Sequence, residues 1–328
     1  MSLHHRSRRS GFNRALVATA SLALVVTAAS CSSSGGGAAG AAASYPSRDI
    51  TLTVQAAPGG GSDLASRTIA KVMEKELGRS IVVENRPGAS GSLAVKYVSG
   101  LKPDGYHIGF TPVELAMFDH LGYDVPPDSV QLLGEIMNQP GTIAVPASSP
   151  YQDLKSLIEA AKTKKITVSN SGAGSSWEAA TKLLGQLGGV EFTPVPFDGG
   201  APAVTAAMGS KVDAVVAGAG ETHAGAENGQ LRVLAVFSPE PHPVFADIPT
   251  AKSQGFDMEF GAWGGLYAPK GLPDEVKQKL ETAIANAVKS PDFTGVISPT
   301  GTIVTYKDSA SFTTFVQSEH ERFGKVLK

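Results

Sequence analysis

Two stretches of this chain bring together glycines and hydroxyl-bearing residues at the start of a helix. Ala57-Pro58-Gly59-Gly60-Gly61-Ser62-Asp63 follows an apolar β-type run and opens an amphipathic segment. Ser169-Asn170-Ser171-Gly172-Ala173-Gly174-Ser175-Ser176 has the same setting in the middle of the chain. Glycines let successive backbone N–H groups turn toward one point, and a helix start adds its positive end. The chemistry this implies is reception of an anion. Each stretch also reads as a tight strand-to-helix turn, with Ser62 or Asp63 acting as a plain N-cap in the first. Neither is a phosphate-binding P-loop, because no Gly-Lys-Ser/Thr follows.

Two further strand-to-helix turns are Asn85-Arg86-Pro87-Gly88-Ala89-Ser90-Gly91 and Pro196-Phe197-Asp198-Gly199-Gly200. Gly88, Ala89 and Phe197 from these turns, with Thr111 and Ala217 at strand ends, complete the expected ligand-binding set. Arg67, one helical turn after Asp63, reads as solvated or paired with it; Arg86 reads as a surface cation or a ligand contact. Trp177 and Trp263 read as cleft walls or as core packing.

Catalytic arrangements are absent from the sequence. There is no Gly-x-Ser-x-Gly elbow. Beyond the leader the histidines are His107, His120, His223, His242 and His320, and none pairs at metal-ligand spacing. Asp63 is a lone acid in a glycine turn. No metal, cofactor or catalytic residue is expected.

The elements needed to position these turns alternate along the chain. Strands are expected at Ile50–Val54, Ile81–Glu84 and His107–Phe110, with helices at Asp63–Leu77 and Gly91–Gly100 between them. The middle repeats the pattern, with strands at Ile143–Val145, Ile166–Ser169, Phe192–Phe197 and Val212–Val216. Helices at Asp153–Lys162, Ser176–Leu187 and Ala201–Gly209 separate them. Strands at Leu231–Phe237 and Gly264–Ala268 follow, then helices at Asp274–Lys289, with Pro273 and Asp274 as a capped start, and Ser309–Leu327. Such βαβ order predicts α/β architecture with helices on both sheet faces. The chain is expected to form domain 1 from residues 47–142 and 238–328 and domain 2 from 143–237, with the ligand in the crevice beyond the strand ends.

The first residues read as an address. Arg6, Arg8, Arg9 and Arg14 precede an uncharged apolar run from Ala15 to Ala29, too short to span a bilayer comfortably. Ala28-Ala29-Ser30-Cys31 resembles a lipobox, so residues 1–30 are expected to be a lipoprotein signal peptide and Cys31 the lipidation site. Ser7-Arg8-Arg9 also allows a twin-arginine reading, besides an ordinary basic segment. Residues 31–46 are Ser/Gly/Ala-rich and read as a flexible tether.

Apolar residues make up 42% and charged residues 18% of 328, with a formal net charge of -2, which fits a globular protein and not a nucleic-acid binder. The single cysteine excludes an intrachain disulfide.

Taken in order, several motifs resemble one family. They are Ala57 to Asp63, Val83-Glu84-Asn85-Arg86-Pro87-Gly88-Ala89, Pro103-Asp104-Gly105-Tyr106 and Asp153-Leu154-Lys155-Ser156-Leu157. The Ser169–Ser175 turn follows, then Val195 to Pro202, Gly229 to Val236, Ile248-Pro249-Thr250 and Trp263 to Pro269. The chain resembles the substrate-binding proteins of tripartite tricarboxylate transporters, the Bug or TctC-like family. The resemblance implies a type II, two-domain Venus flytrap of the periplasmic-binding-protein kind, with two mixed sheets flanked by helices and a hinge. It implies ligand carboxylates held between the two glycine turns by amides, hydroxyls and ordered water. It also implies delivery to a permease of one large and one small subunit, by ion-driven transport; the lipid-anchored protein itself is expected to be a monomer. A sensor role for a membrane signalling partner is the alternative. Phe197-Asp198 stands where the family usually shows Tyr-Lys.

Overall fold

Residues 45–327 are described by a computed structural model, so the leader, Cys31 and most of the tether lie outside the described residues. β1 (Ile50–Val54) is buried at four of its five positions, as a parallel strand covered on both faces should be. α1 (Gly61–Leu77) follows, burying Ala65, Ile69, Ala70 and Met73 on one stripe and stopping at Gly78, which takes a left-handed φ of 64°. The chain continues through β2 (Ile81–Asn85), α2 (Ser92–Ser99), β3 (His107–Pro112) and β4 (Val130–Pro146). Next come α3 (Leu154–Ala161), β5 (Thr167–Asn170), α4 (Ser176–Gly188), β6 (Thr193–Pro196), α5 (Gly200–Met208), β7 (Ala214–Gly218), α6 (Ala219–Glu227) and β8 (Leu231–Val236). The last elements are β9 (Gly261–Pro269), α7 (Asp274–Lys289), α8 (Pro291–Ile297), β10 (Ile303–Asp308) and α9 (Ser309–Val326).

The strands form two mixed sheets that share β4. The first has the order β2-β1-β3-β9-β4, with β10 on the other side of β4. The second carries β7-β5-β6 on one side of β4 and β8 on the other. β4 pairs with β9 up to Pro140, opposite Gly261, and with β7 from Gly141, opposite Gly218.

This register decides where the strands point. β1, β2 and β3 are mutually parallel, and β3 reaches its carboxyl end opposite Gly264 of β9, close to Gly261 at the crossing. β5, β6 and β7 are parallel too, and β7 ends at the crossing on Gly141. Both sets therefore aim their carboxyl ends at Pro140–Gly141.

Each sheet has its own apolar packing. Ile50, Leu52, Ile69, Met73, Leu266, Leu280 and Ile284 fill the space between the first sheet and α1 and α7. Ala203, Val204, Val215 and Val233 do so where α5 and α6 cover the second. A third cluster runs across both, from Val95 and Phe118 to Trp177, Leu184, Phe260 and Phe323.

Some elements differ from expectation. β4 is 17 residues long, where only Ile143–Val145 was expected. Asn138-Gln139-Pro140-Gly141 reads as a turn in isolation, yet here it carries the strand from one sheet to the next. β10, α6 and α8 were not anticipated. α6 (AGETHAGAE) has almost no apolar stripe of its own. No side chain caps α7 at Pro273; Asp274 and Glu275 only place negative charge in its first turn.

Candidate functional site

The first glycine turn leaves β1 at Val54 and enters α1 through Gly60, which caps the helix without any side-chain bond. Gly59 has φ 90°, a conformation that disfavours any residue with a β-carbon. Ala57 to Gly61 are exposed, and β-carbons placed on Gly59 and Gly61 would meet nothing within 4 Å. The helix start is thus open to an incoming anion.

Asp63 shapes this turn from below. Its Oδ2 accepts from the Gly59 amide at 2.9 Å, and its Oδ1 from Asn85 Nδ2 at 2.8 Å. Arg67 Nε donates to both oxygens at 3.0 Å. Asn85 Nδ2 also donates to the Ala56 carbonyl at 2.9 Å, tying β2 to the turn. Burial alone would raise the Asp63 carboxyl; the bonds from Arg67, Gly59 and Asn85 outweigh it and hold it at about 2. Asp63 is only 4% exposed, so its carboxylate faces the loop backbone.

The Arg86–Gly91 turn packs beside the first. Gly88, Ala89, Ser90 and Gly91 all have positive φ, including 46° for Ala89 and 55° for Ser90. Two adjacent non-glycine residues in this region store strain of about 1–3 kcal/mol each, a feature concentrated at functional sites. A β-carbon on Gly91 would press on Gln55 Cγ at 2.7 Å, so the two turns are in contact. Gln55 donates to Ser62 Oγ at 3.1 Å, while its own Oε1 is buried with no partner among the described residues. Arg86 is placed on Glu84, at 2.9 Å, and over the Tyr97 ring, 3.6 Å from its centre.

The second glycine turn leaves β5 and enters α4. Gly172 and Gly174 have φ 133° and 73°. Here the amides are taken by the protein. Gly172 N donates to Asn170 Oδ1 at 3.0 Å, and Gly174 N to Glu178 Oε2 at 2.7 Å. Ser175 N donates to Gly172 O at 3.2 Å, and Ser175 Oγ accepts from Glu178 N at 3.2 Å as the N-cap. Ser171, Gly172, Gly174 and Ser175 are half-buried and Ala173 is exposed.

The Phe197–Gly200 turn adjoins it. Phe197 N donates to Asn170 O at 3.0 Å, and a β-carbon on Gly172 would lie 3.4 Å from Phe197 O. Phe197 is half-buried and Asp198 exposed. Glu221 of α6 accepts from Gly218 N at 2.9 Å and lies against Gly200 at the start of α5; burial pushes its carboxyl up. Thr111 and Ala217 are fully buried at the strand ends. The Thr111 hydroxyl donates to Pro112 O, and Ala217 O accepts from Thr142. Both lie beneath the turns, not on their surface.

Residues of the first sheet reach the second turn directly. A β-carbon on Gly174 would stand 3.8 Å from Leu121 Cδ1. Glu114, in the 3-10 turn Val113–Ala116 after β3, faces Ser176 at the start of α4. Burial pushes the Glu114 carboxyl up, against bonding first from its own backbone amide and then from the Ser176 hydroxyl and amide. Sequence reasoning missed Glu114. Its one signal was its place as the first acid after β3.

Trp177 and Trp263 are core residues, 5% and 2% exposed. Trp177 packs 6.0 Å from Phe260, and Trp263 Nε1 donates to Glu319 Oε2 at 3.3 Å. His120 and His320 stack at 4.2 Å, but each ring bonds a backbone carbonyl. No group of three or more metal-ligating side chains occurs among the described residues.

Comparison with known proteins gives this geometry a context. Residues 65–328 match the model of the tripartite tricarboxylate transporter family receptor, TctC, beginning just after the first turn. A UPF0065 protein from the ttuE-ttuC' intergenic region of Agrobacterium vitis is 32% identical over 87% of this chain and 85% of its own length. A TctC solute-binding protein from Polaromonas, solved without ligand, superposes with a TM-score of 0.77 at 30% identity, covering 86% of this chain and 98% of that one. MatC from Rhodopseudomonas palustris, solved with bound malate, superposes at 0.75 with 29% identity, covering 87% and 100%. The fold is accordingly the two-domain periplasmic-binding-protein type, and the role that of a receptor and not an enzyme. The chain belongs to the tripartite tricarboxylate transporter receptor (TctC) family.

Proposed function

We propose that this protein captures a small organic carboxylate between the two groups of strand-end turns and hands it to the membrane permease of a tripartite tricarboxylate-type transporter. The observation that carries the reading is the uncapped start of α1 at the exposed Gly59–Gly61 turn. A helix start contributes roughly 0.3–1 kcal/mol to a nearby anion, and ~2 when partly buried. Charge-assisted N–H bonds contribute about 1.5–3 kcal/mol each. A few such bonds support micromolar binding, roughly -8 kcal/mol. The malate-bound relative supports a carboxylate as cargo.

Residues 47–142 with 238–328, and 143–237, act as two lobes that close on the ligand about β4 and the return after β8. The mature protein is a monomer, held to the membrane through a lipid on Cys31 after removal of residues 1–30. Several acyl chains are needed there, because one alone binds only marginally. Titration calorimetry of the purified protein against mono-, di- and tricarboxylates tests the capture step. Binding of none of them, with clear binding of a cationic or apolar ligand, rejects it. X-ray scattering with a bound ligand should show compaction, and Cys31→Ser should release the protein from membranes.

A further inference from the structure

We propose that Gly220 and the Thr300–Gly301 turn form a stop behind the hinge: it props the ligand-free cleft open and so sets how tightly the ligand is held, without touching it. This rests on the closure of two lobes proposed above and names the contact that governs it.

β7 ends at the sheet crossing, and α6 starts directly after it with Ala219-Gly220. There α6 meets a turn of the first lobe. A β-carbon on Gly301 would stand 2.9 Å from both Cα and N of Gly220, and one on Gly220 would fall well inside contact distance of Thr300 O. Two backbones thus touch where neither carries a side chain. Strand order places the contact. Thr300 and Gly301 lead into β10, which flanks β4 on the side away from β9, β3 and β1. β4 and β9 therefore stand between this contact and the first glycine turn, which leaves β1.

Both sides of the contact are fixed within their own lobes. Thr300 Oγ1 donates to Ile297 O at 2.7 Å, and Gly301 N donates to Ser298 O at 3.1 Å. On α6, Gly218 N donates to Glu221 Oε2 at 2.9 Å, and Thr222 Oγ1 lies 2.9 Å from Thr142 Oγ1 of β4. One bond joins the two sides: His242 Nε2 donates to Gly301 O at 3.1 Å, while its Nδ1 accepts from Val244 N. His242 is 1% exposed, and Phe245 and Ile248 just beyond it pack with the second sheet. Lobes that turn about β4 close in front only as they part behind. Glycine at 220 lets them rest together behind, with the cleft open. A side chain there holds them apart and favours the closed form, and the affinity for a ligand that needs that form rises with its population.

The test is Gly220→Ala. Gly220 sits in α6 without a left-handed φ, where Ala is the better helix former. The added methyl meets the Thr300 backbone, which cannot swing aside, and the end of the Gln139 side chain, which can. X-ray scattering of the ligand-free variant should give a radius of gyration shifted toward that of the ligand-bound native protein. Calorimetry with mono-, di- and tricarboxylates should give a Kd at least about threefold below the native one. Gly185→Ala is the control, because its β-carbon meets the Val190 carbonyl at 2.8 Å wholly within the second lobe. It should lower stability with no compaction and no gain in affinity. A folded Gly220→Ala with the native ligand-free radius and affinity overturns the proposal, and so does equal compaction in Gly185→Ala. If Gly220→Ala does not fold, His242→Leu removes the bond to Gly301 O and should shift the radius the same way; an unshifted radius there is equally fatal. A native protein that binds a carboxylate without compacting overturns the closure reading beneath the proposal. Compaction of Gly220→Ala, with no carboxylate bound by either protein, leaves the stop standing and overturns the carboxylate reading instead.

Discussion

Replacing Asp63 with Asn should loosen the first turn without touching the core. The native carboxylate accepts four hydrogen bonds, from Gly59, Asn85 and twice from Arg67. At about 1.36 kcal/mol per pH unit, a carboxyl held near 2 instead of the usual 3.8 contributes up to roughly 2.5 kcal/mol. The Arg67 side chain is 48% exposed, so solvent screening reduces this to about 1–2 kcal/mol. An Asn amide must also point an N–H at one of the existing donors. The melting temperature at pH 7 should therefore fall by roughly 2–4 °C for a chain of this size. Because the native carboxyl is depressed, its contribution is complete above 3.8 and disappears as pH falls through 2. Scanning calorimetry of both proteins from pH 7 down to 2 measures the difference. Melting temperatures within 1 °C of each other at pH 7, or a gap that does not narrow in acid, would refute the assignment of Asp63 as the clamp of this turn.

Gly59→Val places a β-branched residue at φ 90° in otherwise open space, so it should cost about 1–3 kcal/mol of stability and weaken carboxylate binding together. Lys307→Ala should leave the fully buried Glu135 without its cation and cost about 3 kcal/mol in denaturant unfolding. Burial pushes the Glu135 carboxyl up against the pull of Lys307, so the native state holds its proton longer and the loss should grow as pH rises. Adding Glu135→Gln to that variant should recover most of it. Gly141→Val would bring a β-carbon to 2.7 Å from Phe237 and 2.9 Å from Trp177 at the sheet crossing, and should destabilise by about 1–3 kcal/mol while abolishing ligand-induced compaction in scattering.

Much of the site could be read from the chain because its signals are local. A glycine that must take φ near 90°, a serine before a helix, and apolar runs of strand length act over a few residues. Those signals placed all four strand-to-helix turns and the alternation of strands and helices around them. The missed elements are the ones with weak local signal. β10 carries Thr305 and Lys307 in a half-buried strand, and α6 is held by neighbours instead of by its own apolar stripe.

The sequence by itself determined that the chain carries helix starts in glycine turns, and that its ordered motifs belong to one receptor family. Only the tertiary structure decided that the two main turns differ. A cap such as Ser175 is local, but the meeting of the two sets of strand ends depends on β4 crossing between sheets at Pro140–Gly141. Strand pairing of this kind acts through space between residues distant along the chain, so no window of sequence contains it.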